Sequence, residues 1–104
     1  MSYATISNWN SSITRGSDAG KNNEKLINEK YLPALKAMGA THAYFIYTGD
    51  TTASIVTIYP DEATATSAVA KQNALRSQGS ADMSSKLIGD SRGDVLASFG
   101  SSAK

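Results

Sequence analysis

The sequence predicts a single α+β domain whose strands and helices follow the order β-α-β-β-α-(α)-β. The chain has 104 residues, which is the length of one ordinary domain, and no linker or repeat divides it. Four segments are dense in β-branched and aromatic residues, as strands are. Two longer segments place apolar residues three or four positions apart, the spacing of one helix face. We therefore expect one domain over residues 1–104, with a polar tail at 100–104 that frays.

The composition excludes several classes of function. Ten basic and nine acidic residues give a formal net charge of +1, and nothing favours binding to nucleic acid or to an anionic membrane. The chain has no cysteine, which excludes disulfides, thiolate metal sites and a catalytic thiol. No apolar stretch approaches the ~20 residues of a membrane helix, and the start of the chain lacks the pattern of a secretory signal. We therefore expect a cytoplasmic protein.

The first half of the chain predicts a strand followed by a helix. Residues 3–9 read Tyr-Ala-Thr-Ile-Ser-Asn-Trp, and the alternation places Tyr3 and Trp9 on one face with Asn8 on the other. After a polar loop, apolar residues at helical spacing predict a helix over about 20–38. Gly39 suits the left-handed end of that helix. Pro33 removes one helical donor, so we expect a kink there.

Residues 42–48 and 51–59 predict a β-hairpin, with Gly49-Asp50 as a two-residue turn. In that register Tyr44 faces Ile55 and His42 faces Thr57, so that His42, Tyr44 and Tyr59 share one face. Both faces of the hairpin are rich in apolar side chains, and neither resembles a solvent face.

Pro60 ends the hairpin, and the acids Asp61 and Glu62 suit the start of a second helix that extends to about Gln78. This helix is rich in alanine, which lets it lie close to a sheet. Residues 81–88 predict a short third helix, and residues 94–99 predict the last strand.

This order of elements is the split β-α-β, ferredoxin-like arrangement with a four-stranded antiparallel sheet. Both helices cover one face of the sheet, and the other face is left bare. A second copy of the chain could cover that bare face by two-fold pairing, so we expect a homodimer.

The sequence also resembles a known family. Residues 29–40 read Glu-Lys-Tyr-Leu-Pro-Ala-Leu-Lys-Ala-Met-Gly-Ala, the hairpin follows, residues 59–63 read Tyr-Pro-Asp-Glu-Ala, and residues 94–99 read Asp-Val-Leu-Ala-Ser-Phe. Over nearly the whole chain, this order and hydrophobic texture resemble the dimeric α/β-barrel proteins, in particular the antibiotic-biosynthesis-monooxygenase-like group. The resemblance implies a homodimer enclosing a pocket, and a cofactor-independent monooxygenase of a small aromatic compound.

Five residues are candidates for the site. His42 is the only side chain whose ordinary pKa lies near neutrality, and with Tyr44 it could exchange a proton with a substrate. The resemblance implies ligand-binding roles for Asn8 and Trp9, and Tyr59 would join them through its ring and hydroxyl. No cluster of His and acidic residues has the spacing of metal ligands, so we expect neither a metal nor a cofactor.

Two alternatives remain open at this point. The alanine-rich helix and the few ionisable residues on the strands also fit a homodimer that is not an enzyme, either binding a small apolar or aromatic ligand or having a purely structural role. Haem degradation, known in some relatives of that group, needs a helical histidine on the iron. Here His42 begins a strand, and haem degradation is the least favoured alternative.

Overall fold

The computed structural model of the protein describes residues 1–99 and contains one antiparallel sheet covered on one side by helices. In chain order the elements are β1 (Tyr3–Ser11), α1 (Asp18–Leu26), a π-helical turn (Ile27–Tyr31), α2 (Leu32–Ala37), β2 (His42–Tyr47), β3 (Thr52–Tyr59), α3 (Glu62–Asp82) and β4 (Ser85–Asp94). The four strands lie in the order β2-β3-β1-β4 and every neighbouring pair is antiparallel. This is the ferredoxin-like α+β fold that the sequence predicts. Within residues 1–99, no helix is long and apolar enough to cross a membrane.

The first helical segment extends without a gap from 18 to 37. Its backbone changes from the α to the π pattern over Ile27–Tyr31, just before Pro33. Ser17 caps its start by accepting a hydrogen bond from the Gly20 amide at 3.0 Å. The Leu32 amide donates to the Ile27 carbonyl, five residues back, which is the wider π pattern. Pro33 then falls in the first turn of α2, where no amide donor is needed. The irregularity near Pro33 is therefore this π-helical turn, at the place where the sequence predicts a kink.

The register of the hairpin differs by one residue from the prediction. Tyr44 pairs with Val56, and His42 pairs with Ile58. The connection spans residues 48–51 rather than two residues, because Thr48 turns back and donates its amide to the Thr52 carbonyl at 3.0 Å. Since side chains alternate along a strand, this shift moves Tyr59 to the face opposite His42.

The second half of the chain corrects two more predictions. α3 continues through Gly79 to Asp82, and the predicted third helix over 81–88 is wrong. Gly79 does not end the helix. It is buried within α3, and an added Cβ would lie 3.3 Å from Met83 Cε and 3.6 Å from the Tyr31 ring. The helix ends instead at Met83 and Ser84, and Ser84 has a positive φ of 50°.

The last strand is β4, and the prediction of a strand over 94–99 is also wrong. Gly89, Gly93 and several charged residues hide β4 from a pattern based on β propensity. Residues 95–99 continue past the strand, where Val95 donates its amide to the Ser2 carbonyl at 2.8 Å. The side chains of Leu96 and Phe99 are almost fully exposed. The predicted fraying tail at 100–104 lies outside the described residues.

The sheet has two unlike faces, which we call the helix face and the bare face. The helix face packs against the helices and includes Tyr3, Thr5, Ser7, Trp9, Ala43, Phe45, Tyr47, Ala53, Ile55, Thr57 and Tyr59. The bare face includes Ala4, Ile6, Asn8, His42, Tyr44, Ile46, Ser54, Val56 and Ile58. The core lies on the helix face, where Tyr3 and Tyr59 pack against Ala65 and Ala68 of α3. These two small residues let α3 approach the sheet closely.

Candidate functional site

A cavity of about 120 Å³ lies between the helix face of the sheet and the helices that cover it, the segment 18–37 and α3. Its walls are mainly apolar. The aromatic residues of the lining are Trp9, Tyr31, Phe45 and Tyr47. The aliphatic residues of the lining include Ile27, Leu35, Ile55, Leu75 and Met83. A concave, largely apolar space with a few polar groups is the usual form of a small-molecule site.

The cavity has its mouth at the hairpin end of the sheet. Only four of its lining residues are exposed, namely Arg15, Tyr47, Asp50 and Thr51, and all belong to the β1–α1 loop or the tip of the β2–β3 hairpin. The Arg15 amide donates to the Asp50 carbonyl at 2.8 Å and ties the loop to the hairpin. Entry to the cavity is therefore controlled by these two loops.

Tyr47 is the aromatic side chain of the mouth. The Arg15 guanidinium lies 4.1 Å from the centre of its ring, a cation–π contact. The Tyr47 hydroxyl donates to a Glu24 carboxylate oxygen. Burial raises the pKa of Tyr47, and the hydrogen bond to Glu24 raises it further, so the phenol stays neutral at physiological pH.

Trp9 lies deeper in the wall. It is buried, and its indole Nε1 donates to the Ser7 hydroxyl at 2.7 Å, which fixes the ring. Because Trp9 is the only tryptophan of the sequence, its fluorescence reports on the cavity alone.

A group of polar side chains lies at and behind the inner end of the cavity, and almost all of them are paired. The Tyr59 hydroxyl donates to Gln72 Oε1 at 3.2 Å, and Gln72 Nε2 donates to the Thr5 hydroxyl at 2.9 Å. Burial raises the pKa of Tyr59, which keeps its hydroxyl protonated. Thr57, on the same face, is fully buried and lines the cavity, and its Oγ1 has no hydrogen-bond partner.

Tyr31 joins the two helical walls of the cavity. Its hydroxyl donates to Asp82 Oδ2 at 2.7 Å, and Lys30 Nζ lies 3.1 Å from the same oxygen. Burial, with the bond to Asp82, raises the pKa of Tyr31 far above its ordinary value. The same hydrogen bond, helped by Lys30, lowers the pKa of Asp82.

Three of the five predicted site residues lie on the bare face, away from the cavity. The rings of His42 and Tyr44 are stacked, with centroids 6.4 Å apart and planes 12° from parallel. Asn8 accepts a hydrogen bond from the Ser54 hydroxyl at 2.6 Å.

The other two predicted residues lie on the helix face. Trp9 lines the cavity, and Tyr59 is buried in the core beneath α3. The prediction that Tyr59 shares a face with His42 and Tyr44 is wrong, because it depended on the shifted hairpin register. The five residues thus divide between two sides of the sheet.

Sequence reasoning missed the contributions of Phe45, Tyr47, Thr57 and Gln72 to the cavity. The alternation along β2 groups Phe45 and Tyr47 correctly, but only the true register shows that they share a face with Trp9. Gln72 has no sequence signal, since a glutamine in a helix is ordinarily a solvent-facing residue.

The chemistry available in the cavity favours binding over proton transfer. The titratable groups of its described lining are two arginines, one exposed aspartate at the mouth and two tyrosines. Both tyrosines have raised pKa values, so neither is a base near neutral pH. Arg76 is paired with Asp90 at 2.9 Å. Among residues 1–99, no group of three His, Asp or Glu side chains could hold a metal ion.

Comparison with known proteins supports the fold. The chain is similar in structure to a dimeric ferredoxin-like protein from an uncultured marine organism, with a TM-score of 0.65 over 94% of this chain and 98% of that one. The two sequences are 13% identical, so the likeness concerns the fold alone. The sequence matches no protein-family model and no curated protein.

Proposed function

We propose that the protein is a homodimer that binds a small, largely apolar molecule in the cavity on the helix face. The observation that carries this proposal is the cavity itself, with aromatic and aliphatic walls and one open mouth. An apolar cavity of roughly 150 Å³ binds benzene in another protein, so about 120 Å³ suits a single ring or a short chain. This space favours a binding protein over a purely structural homodimer with a filled interior.

The second half of the proposal concerns the bare face. Ile6, Tyr44 and Ile46 are 37%, 51% and 44% exposed on it, and no helix of the described chain covers them. Four strands at ~4.8 Å spacing give this face roughly 400 Å² of flat area. An exposed apolar area of that size usually marks an interface.

A second copy of the chain is the partner we propose for this face. A stable dimer buries about 800 Å² on each partner, which is about twice what the flat face provides. Leu96 and Phe99, which extend past β4 with almost fully exposed side chains, would supply further apolar area. The ferredoxin-like protein to which the chain is similar is itself described as dimeric. Pairing through the bare face would leave the cavity free on the other side of the sheet.

Oxygenation of a small aromatic compound, without a cofactor, is the second candidate function. The aromatic lining favours it, because Trp9 and Phe45 would hold a planar substrate between apolar walls. In that case His42 and Tyr44 would not touch the substrate, since they lie on the bare face. Oxygen uptake by the wild type and by the double variant His42→Ala, Tyr44→Phe tests this placement. If the double variant stays dimeric but loses oxygen uptake, the reaction does not take place in the cavity.

Titration of the protein with toluene, followed by the fluorescence of Trp9, tests the binding proposal. We expect a saturable change in the wild type. Ala53→Leu replaces a small residue of the cavity wall with a larger one. The larger side chain should fill part of the cavity and weaken binding at least tenfold. Ala70→Leu is the matched control, because Ala70 is exposed on α3. The absence of saturable binding to the wild type would refute the proposal.

A further inference from the structure

One buried hydroxyl of the helix face differs from its neighbours. The Ser7 hydroxyl accepts from Trp9 at 2.7 Å, and the Thr5 hydroxyl accepts from Gln72 at 2.9 Å. Thr57 stands beside Thr5 in the sheet and is 0% exposed, yet its Oγ1 is the one buried side-chain polar atom among residues 1–99 that has no partner. Such a group destabilises the fold compared with a paired or an apolar one.

The position of Thr57 relates this unpaired hydroxyl to the cavity. Thr57 is part of the lining, on the central strand β3. The mouth residue Thr51 lies six positions earlier, which is roughly 20 Å along a strand. Thr57 is therefore at the inner end, and a molecule that enters at the hairpin would reach it last.

The side chains around Thr57 on the helix face leave its hydroxyl unpaired. Thr5 and Gln72 are bonded to each other, and Ile55 and Phe45 of the lining offer no side-chain hydrogen bond.

We propose that Thr57 Oγ1 is the anchor for the bound molecule, and that this molecule is neutral, with a single ring or short chain and one hydroxyl or carbonyl group. This inference rests on the proposed binding function and gives its ligand class. The threonine hydroxyl both donates and accepts, so it serves either group. A charged group at the inner end would lose its hydration, and Arg76, the charged residue of the wall one helical turn from Gln72, is already paired with Asp90 at 2.9 Å.

Phenol and toluene provide a matched pair of probes, because one carries a hydroxyl where the other carries a methyl group. Thr57→Val keeps the shape of the side chain and removes its hydroxyl. We expect this variant to bind phenol about tenfold more weakly than the wild type, which corresponds to one buried hydrogen bond, and to bind toluene at least as tightly.

The outcomes separate this inference from the proposal on which it rests. If both probes bind and the affinity for phenol is the same in wild type and Thr57→Val, the anchor is refuted while the binding function stands. If toluene does not bind to the wild type, the binding function itself fails, and the anchor with it.

A measurement without any ligand checks the unpaired hydroxyl independently. Thr57→Val should raise the melting temperature by about 5 °C, because it removes a buried polar group that has no partner. Thr5→Val is the control and should lower the melting temperature, because it leaves Gln72 Nε2 without an acceptor. A loss of stability in Thr57→Val similar to that in Thr5→Val would mean that the fold already satisfies the Thr57 hydroxyl, which would overturn the proposal.

Discussion

Single hydrogen bonds decide which side chains of this protein hold the fold and which are free for a ligand. Tyr31, Tyr59 and Gln72 use their polar atoms within the chain, and burial keeps both phenols protonated. Thr57 uses none. The polar part of the cavity is therefore a structural frame with one open position.

The pairing of Tyr31 with Asp82 gives a pH-dependent prediction. The pKa of Asp82 lies below its ordinary value of 3.8, chiefly because Tyr31 donates to the carboxylate and secondly because Lys30 does. A lowered pKa means stability that is present above the unfolded value and is lost as the pH falls through the folded one. Tyr31→Phe should therefore be less stable than the wild type at pH 7, and the difference should shrink below about pH 4.

Carboxyl titration by NMR measures this effect directly. In Tyr31→Phe the pKa of Asp82 should rise toward its ordinary value, and Lys30→Met should raise it less. A pKa of Asp82 that Tyr31→Phe leaves unchanged would show that the hydrogen bond does not act on the carboxyl.

At the scale of elements, the turn after α2 depends on the close approach of two helices. Gly39 has a φ of +102°, and a Cβ added there would lie 2.8 Å from the Thr64 methyl carbon in the first turn of α3. Gly16 has a φ of +83°, and nothing lies within 4 Å of its added Cβ. Both glycines have a positive φ, but only at Gly39 would an added Cβ also collide with a neighbouring side chain, that of Thr64.

Gly39→Ala should therefore destabilise the protein more than Gly16→Ala. The backbone term costs about 1–2 kcal/mol in both variants, and the clash at Gly39 adds roughly 1–3 kcal/mol. Urea unfolding of both variants gives the difference. Equal losses of free energy would mean that Thr64 moves aside and that the helix contact is loose.

The sequence predicts the elements of this fold better than it predicts their register. The positive φ at Gly39 follows from the chemistry of a single residue and is confirmed, and a π-helical turn lies just before Pro33, where a kink is predicted. The hairpin register depended on whether Thr48 and Thr51 belong to strands or to the loop, and β propensity places both residues in strands. In the structure Thr51 bonds through its hydroxyl to Asn10 Oδ1 at 3.1 Å, a contact between distant residues that no local pattern contains.

The candidate site was harder to predict for the same reason. Gly79 is a helix-ending signal in sequence, but it lies buried within α3, where an added Cβ would lie 3.3 Å from Met83 Cε. The end of α3 and the start of β4, which lie at the hairpin end of the sheet, depend on packing of this kind rather than on a local pattern. The chemistry of Trp9 was recognisable from the sequence, whereas its partners across the cavity depend on packing.

For the whole molecule, the sheet separates two proposed roles. The helix face holds the cavity, and the bare face, with its stacked His42 and Tyr44 rings, is the surface proposed for a second copy. Substitutions on the bare face should therefore change assembly rather than ligand affinity.

Sedimentation equilibrium tests this separation. Tyr44→Asp should raise the dimer dissociation constant at least thirtyfold, because a tyrosine that anchors an interface contributes about 2 kcal/mol or more. Ala70→Asp, which places the same charge on the exposed side of α3, should leave the dissociation constant unchanged. A wild type that is monomeric at all concentrations, or equal effects of the two variants, would remove the bare face as the interface.

The central claim is that the ligand site and the pairing surface lie on opposite faces of one sheet. NMR chemical-shift mapping of the isotope-labelled protein during a phenol titration tests it most directly. We predict that the shifts concentrate at the Trp9 indole N–H, Phe45 and Ile55, with Ile6 and Ile46 unaffected. Shifts centred on Ile6 and Ile46, with the cavity residues unchanged, would contradict the account.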